Sequence, residues 1–148
     1  MTDFTRNAKA LHDYDVLETI EAGVVLRGYE VKSIKSGRAQ LKGAYVRIID
    51  GTAWLVSASI PPYQTGNIPE GYQERADRKL LISKRQVATL LGLQQAHGVT
   101  LIPLRLYEKK GLIKLEIGVA RGKKKYDKRE TLKKKDVARS RMRGMSEE

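Results

Sequence analysis

The sequence predicts a mainly β protein: a small closed antiparallel β-barrel with flanking α-helices and a basic C-terminal tail. Three observations carry this. Apolar residues alternate along several short runs, Asp50-Gly51 stands between two such runs as a hairpin turn, and positive charge is concentrated after residue 120. At 148 residues the chain is long enough for one core. It divides into a barrel domain over 1–122 and a tail over 123–148, because the apolar alternation stops after Gly122.

The elements follow in order. From Tyr14 to Leu26 the apolar residues Tyr14, Val16, Ile20, Ala22, Val24 and Leu26 alternate with positions that include Asp15, Glu21 and Arg27. This is a half-buried strand on which Glu21 faces outward. "GYEVKSIKSG" breaks the alternation; Val31 and Ile34 lie three apart, and Gly37 is placed to cap a short helix. "AYVRIIDGTAWLVSASI" reads as a hairpin around a type I′ turn at Asp50-Gly51, a turn in which both central residues need positive φ. "PPYQTGNIPEGYQERADR" is rich in Pro, Gly and polar residues and is read as an irregular loop.

"SKRQVATLLGLQQAHG" predicts a helix. Ser83 and Gln86 form a capping box, Val87, Leu90 and Leu91 share one face, and Gly98 ends it. A second hairpin closes the body around "EKKG". Ile102, Leu104 and Leu106 alternate on one arm and Ile113, Leu115, Ile117 and Val119 on the other, which turns Lys114 and Glu116 outward. Several antiparallel strands of modest length, one well-formed helix and no βαβ rhythm make the barrel OB-like in type.

Charge narrows the function. The formal net charge is +12, and the last 28 residues hold 12 basic and 5 acidic side chains against 17 and 12 in the other 120. Such a balance suits a polyanionic partner. The absence of cysteine excludes disulfides and thiolate metal sites, and two histidines leave little for zinc or iron. No apolar run has membrane-spanning length and the N-terminus lacks a signal-peptide apolar region, so a soluble cytoplasmic protein with no membrane partner is expected.

No residue set asks for catalysis. Glu21 and Glu30 are not placed together by their spacing, His12 stands alone, and Gly111, Gly118 and Gly122 do not form a phosphate-cradling loop. Neither an enzyme nor a cofactor is expected. With one Trp and one Phe, stacking platforms are few, and Trp54 is read as barrel packing. Lys9, Lys32, Lys35, Arg38, Lys42, Arg78 and Lys79 fall near loops and the short helix, where they suit either phosphate contact with a folded RNA or simple solvation. The tail, "ARGKKKYDKRETLKKKD" onward, is compatible with a solvated run, a nonspecific counter-charge, or a segment that orders on binding.

Four segments carry a resemblance over essentially the whole chain: "NAKALHDYDVLETIEAGVVLRGYEVKSIKSG", "DRKLLISKRQVATLLG", "TLIPLRLY" and "KLEIGVARGKKKYDKR". Within them the ordered set "EAG…L.G.EVKS…G", "RKLL" and "GKK.YDKR" is highly specific. The chain resembles the SsrA-binding protein (SmpB) family, the protein partner of tmRNA in bacterial ribosome rescue. The resemblance implies a non-catalytic adaptor that binds the tRNA-like domain of tmRNA. It delivers that RNA, with GTP-bound elongation factor Tu, to a stalled ribosome, whose small-subunit decoding site and vacant mRNA path receive the tail. The tail is expected to be flexible when free and helical on the ribosome.

Carried over residue by residue, the resemblance implies an RNA-binding set of Asn7, Lys9, His12, Tyr14, Glu21, Glu30, Lys32, Lys79, Leu81 and Lys114. A ribosome-facing set would be Gly122, Lys123, Lys124, Tyr126, Asp127, Lys128 and Arg129. "NAKA" departs from the family pattern, where a further basic residue often follows the Asn, so phosphate contact there rests on Lys9. "KLLIS" leaves Leu81 open between the core and an unstacked base.

Overall fold

The computed structural model describes residues 2–63 and 70–122, and the statements below concern these. The elements run β1 (Thr2–Arg6), α1 (Ala8–Asp13), β2 (Tyr14–Val24), α2 (Gly28–Lys35), β3 (Tyr45–Ile49), β4 (Thr52–Val56), β5 (Arg78–Leu81), α3 (Lys84–His97), β6 (Thr100–Lys109) and β7 (Leu112–Gly122). The strands form one antiparallel sheet in the order β1-β6-β7-β2-β5-β4-β3.

Local chemistry accounts for the turns and caps. Asp50 and Gly51 both have positive φ, 50° and 78°, as the type I′ hairpin requires. Lys110 and Gly111, at 52° and 78°, make the same turn between β6 and β7. In α3 the Ser83 side chain accepts from the Gln86 backbone N–H at 3.1 Å, and the Gln86 side chain accepts from the Ser83 N–H at 3.1 Å. α2 ends in a Schellman motif: Gly37, at φ 82°, donates to the Ile34 carbonyl and Arg38 to that of Ser33. Leu91 departs from expectation. The face α3 turns to the core is carried by Leu90 and Leu93, and Leu91 is exposed.

One buried cluster fills the concave side of the sheet, with Ile34, Leu41, Val46, Leu55, Leu80, Leu90, Leu101, Leu106, Leu115 and Ile117 among its members. A second, smaller cluster lies on the outer face, where α1 covers Ile102, Leu104 and Ala120, and Tyr14 and Val16 pack against it. A β-bulge between Val16 and Glu18 makes both possible. The extra residue, Leu17, is exposed, and the even-numbered apolar run changes face there. Val16 points out under α1 while Ile20 and Ala22 point into the main core.

The expectation of a closed barrel is corrected. β1 and β3 end the hydrogen-bonded order, and no strand pair joins them. The sheet curls until β3 lies against β6, and Val46 and Leu101 share the core, but the backbone ladder stays open there. The reason lies in β6. β1 pairs only with its Arg105–Glu108 half, and the half before it faces β3 across a cleft of about 480 Å³ lined by Asn7, Tyr45, Arg47, Thr100 and Ile102.

Asn7 clasps this seam in place of a ladder. It is 4% exposed. Its Nδ2 donates to the Leu41 carbonyl at 3.3 Å and to the Pro103 carbonyl at 2.9 Å. Its Oδ1 accepts from the Ala10 N–H at 3.2 Å, which caps α1. β1 and α1 had no counterpart in the sequence reading, because five and six residues are too few for either periodicity to declare itself.

Candidate nucleic-acid interface

Gly23 is the point around which the candidate site assembles. It pairs with Lys114 of β7 on one side and with Leu81 of β5 on the other. Two residues back along β2, Glu21 lies on the same outward face, opposite Glu116. Residues 21, 81 and 114, far apart in the chain, thus meet on three adjacent strands. Gly23 also leaves room for Leu81, whose Cβ stands 3.3 Å from where a Cβ on Gly23 would be.

Leu81 is 54% exposed, whereas its neighbour Leu80 is 3% exposed and part of the main core. The alternation of β5 sets aside the core reading, and Leu81 faces outward beside Lys79. Neither Lys79 nor Lys114 makes an ion pair or a side-chain hydrogen bond among the described residues, so both ammonium groups remain available to an anionic ligand.

Glu21 is held by partners the sequence reading missed. Tyr107, two strands away on β6, donates its hydroxyl to Glu21 Oε2, and Lys109 Nζ lies 3.4 Å from the same oxygen. The Tyr107 hydrogen bond, with help from Lys109, lowers the Glu21 pKa and keeps the carboxylate charged. Burial, reinforced by the Glu21 charge, pushes the Tyr107 phenol upward, so it remains a donor. Arg105 lies over the Tyr107 ring at 4.2 Å and binds Glu116 at 3.0 Å, which fixes the ring from behind. The available signal was the outward alternation of Arg105, Tyr107 and Lys109 against Leu106.

A second group lies at the other end of β2. Lys9 and Asp13 pair at 3.2 Å across one turn of α1, and His12 Nδ1 lies 3.0 Å from the same carboxylate. Tyr14 pairs with Gly122, its ring 3.7 Å from where a Gly122 Cβ would stand. From Tyr14 to Gly23 the strand spans roughly 30 Å at its usual rise, so the two groups are separate patches. Asn7 lies beneath the second patch with its side chain fully engaged.

Glu30 is turned inward, 7% exposed, and its carboxylate binds Arg78 Nε at 2.9 Å. It also accepts from the Arg27 N–H at 2.8 Å and from the Tyr72 hydroxyl at 3.4 Å. Lys32 on the same helix is exposed. Arg78, read from sequence among candidate phosphate contacts, is instead 4% exposed and donates to the carbonyls of Ala58, Glu74 and Ala76. The pair clamps the β4–β5 connection onto α2. Trp54 reverses the other way. Expected in the packing, it is half-buried on the outer face of β4 and belongs to neither buried cluster.

Of the ribosome-facing set only Gly122 is described; Lys123, Lys124, Tyr126, Asp127, Lys128 and Arg129 lie outside the described residues. No group of metal-ligating side chains occurs among the described residues, and none of their helices is long and apolar enough to cross a membrane.

Comparison with known proteins finds relatives over nearly the whole chain. The family model "SmpB protein" matches residues 4–147. The SsrA-binding protein of Rubrobacter xylanophilus is 49% identical over 148 residues, 99% of this chain and 97% of that one. That of Enterococcus faecalis is 48% identical over 134 residues, 90% of this chain and 86% of the relative. A solved structure described as "tmRNA-SmpB: a journey to the center of the bacterial ribosome" superposes with a TM-score of 0.69 at 40% identity, covering 86% of this chain and 92% of that one. The chain belongs to the SmpB family.

Proposed function

We propose that this chain is a cytoplasmic, non-catalytic RNA-binding adaptor. It binds the tRNA-like domain of tmRNA and delivers it, with GTP-bound elongation factor Tu, to stalled ribosomes for trans-translation. The observation that carries the reading is the meeting of Glu21, Leu81 and Lys114 around Gly23 in a chain of this family. Such a patch combines an ammonium for phosphate, an exposed apolar side chain for an unstacked base, and a carboxylate. The last repels phosphate and instead accepts from a base donor or a 2′-hydroxyl, which adds discrimination more than affinity.

In this reading the residues divide the labour. Glu21, Lys79, Leu81 and Lys114 contact the RNA directly, and Lys9, His12 and Tyr14 form a second contact beside the start of the tail. Lys32 adds a phosphate contact from α2, while Asn7 and Glu30 act by holding these surfaces in place. The tail from Lys123 onward, flexible when free, enters the vacant mRNA path as a helix, and Gly122 to Arg129 position it at the decoding site.

The test is competition and truncation. A transcript of the tRNA-like domain should bind the full chain and resist displacement by another structured RNA at matched salt, and Glu21→Ala should weaken it. Ending the chain at Gly122 should leave that binding largely intact but abolish tagging on stalled ribosomes. Equal displacement by any structured RNA would make the chain a general RNA binder and overturn the proposal.

A further inference from the structure

Beyond the patch at Gly23, the outer face of β3, β4 and β5 presents one transverse row. Arg47 pairs with Trp54, and Trp54 pairs with Lys79, so the indole stands between two cations on adjacent strands. Strand spacing puts each cation's Cα about 5 Å from that of Trp54. Arg47 and Lys79 are exposed and make no ion pair or side-chain hydrogen bond among the described residues. None of the outward positions of these three strands carries an acidic side chain, while Tyr45 and Ile49 on β3 are exposed apolar neighbours.

Neither buried cluster accounts for the row, whose Trp54 is half-buried on the outer face of β4. The side chains at Ala53 and Leu55 enter the main core, and Trp54 between them packs against neither buried cluster. The cation–aromatic contact on β6, Arg105 over the buried Tyr107 ring, is locked by Asp3 and Glu116. Among the described residues the Trp54 row has no such lock. It is also continuous with the Gly23 patch. Lys79 and Leu81 are outward neighbours on β5, and the backbone N–H of Val25 on the β2 side bonds the Lys79 carbonyl.

We propose that this row is a stacking platform for an unpaired RNA base, with Trp54 as the surface on which the base lies and Arg47 and Lys79 as contacts to the phosphates flanking it. An aromatic face between two cations that are unpaired among the described residues matches the alternation of π-face and phosphate along a single strand of RNA. The proposal rests on the reading above that the ligand is RNA, and extends the contact surface across β4 to the edge strand β3.

Trp54 is the only tryptophan in the chain, so its emission reports this site alone. Titrating the full chain with the tRNA-like-domain transcript should quench Trp54 fluorescence in step with binding measured by anisotropy of labelled RNA. Trp54→Leu should weaken binding about tenfold, and Trp54→Phe much less, since a ring is retained. Arg47→Glu, an exposed change that leaves the fold alone, should weaken binding and reduce the slope of log affinity against log salt by about 1. Saturating RNA that leaves Trp54 emission unchanged, or Trp54→Leu and Arg47→Glu chains that bind like the parent, would overturn the platform while leaving the adaptor reading intact. A transcript that does not bind the parent chain at all would overturn both.

Discussion

Tyr107 donates its hydroxyl to Glu21 across the intervening strand β7, so the outward carboxylate of the candidate interface is positioned by the sheet itself. Removing that donor should release Glu21. In Tyr107→Phe the Glu21 pKa should rise toward the ordinary carboxylate value, because the tyrosine bond is the largest cause of its depression. The sign for stability follows: a depressed carboxylate contributes above its unfolded pKa, and that contribution is lost as pH falls through the lower folded value. The variant should therefore lose stability near neutral pH and converge with the parent in acid. A carbon-detected NMR titration of the Glu21 carboxyl reads the shift, and an unchanged titration would refute the assignment.

Leu80 and Leu81 are adjacent and chemically identical, yet face opposite sides of β5. Leu80→Ala should cost about 2–4 kcal/mol of unfolding free energy, as for a buried core leucine. Leu81→Ala should stay within about 0.5 kcal/mol of the parent and instead weaken RNA binding. Denaturant unfolding alongside RNA binding separates the two. Equal destabilisation by both would mean that Leu81 is a core residue.

Asn7 joins α1, the segment before β3 and β6 through one amide group. Asn7→Ala removes three hydrogen bonds and leaves buried carbonyls without that donor, so a loss of about 2–3 kcal/mol is expected. Asn7→Asp should restore the cap but not the clasp, because a carboxylate cannot donate to Leu41 or Pro103. Hydrogen exchange at Thr100 to Ile102 should accelerate in both variants.

Arg78→Met should destabilise the fold by about 3–5 kcal/mol, since it leaves Glu30 as a buried charge without its guanidinium. Combining it with Glu30→Gln should recover part of that loss. A double-mutant cycle from chemical denaturation measures the coupling, and simple additivity would show that the pair does not act as a unit.

Gly118→Ala should cost about 1–3 kcal/mol, because the new Cβ would stand 2.9 Å from Leu104 Cδ1. Leu104→Ala in the same chain should relieve the clash, so the double variant should be less destabilised than the two single losses added together. Thermal unfolding of the three variants checks this.

Much of the architecture was legible because it is local. The turns at Asp50-Gly51 and Lys110-Gly111 depend on two backbone conformations each, and the Ser83–Gln86 box closes within one helical turn. Glu21 and Lys114 were read as outward from strand alternation alone, and they are so placed. Residues that failed this reading did so for identifiable reasons. Trp54 was assigned to the interior by its apolar character, although the period of β4 places Ala53 and Leu55 there. Arg78 was assigned to the surface by its charge, although Glu30, 48 positions away, compensates it inside.

The sequence by itself determined the family, the strand-rich class, the two tight hairpins, the main helix and the basic character of the chain, all of which depend on residues near one another or on composition. The tertiary structure decided which residues share a surface. It brought Glu21, Leu81 and Lys114 to one glycine, and it buried Glu30 against Arg78. It also left the sheet open at β3 and β6 with Asn7 as the clasp. The physical reason is the same in each case. Strand register, the bulge at Leu17 and the pairing of buried charge are settled by contacts between distant segments, and no local pattern encodes those contacts.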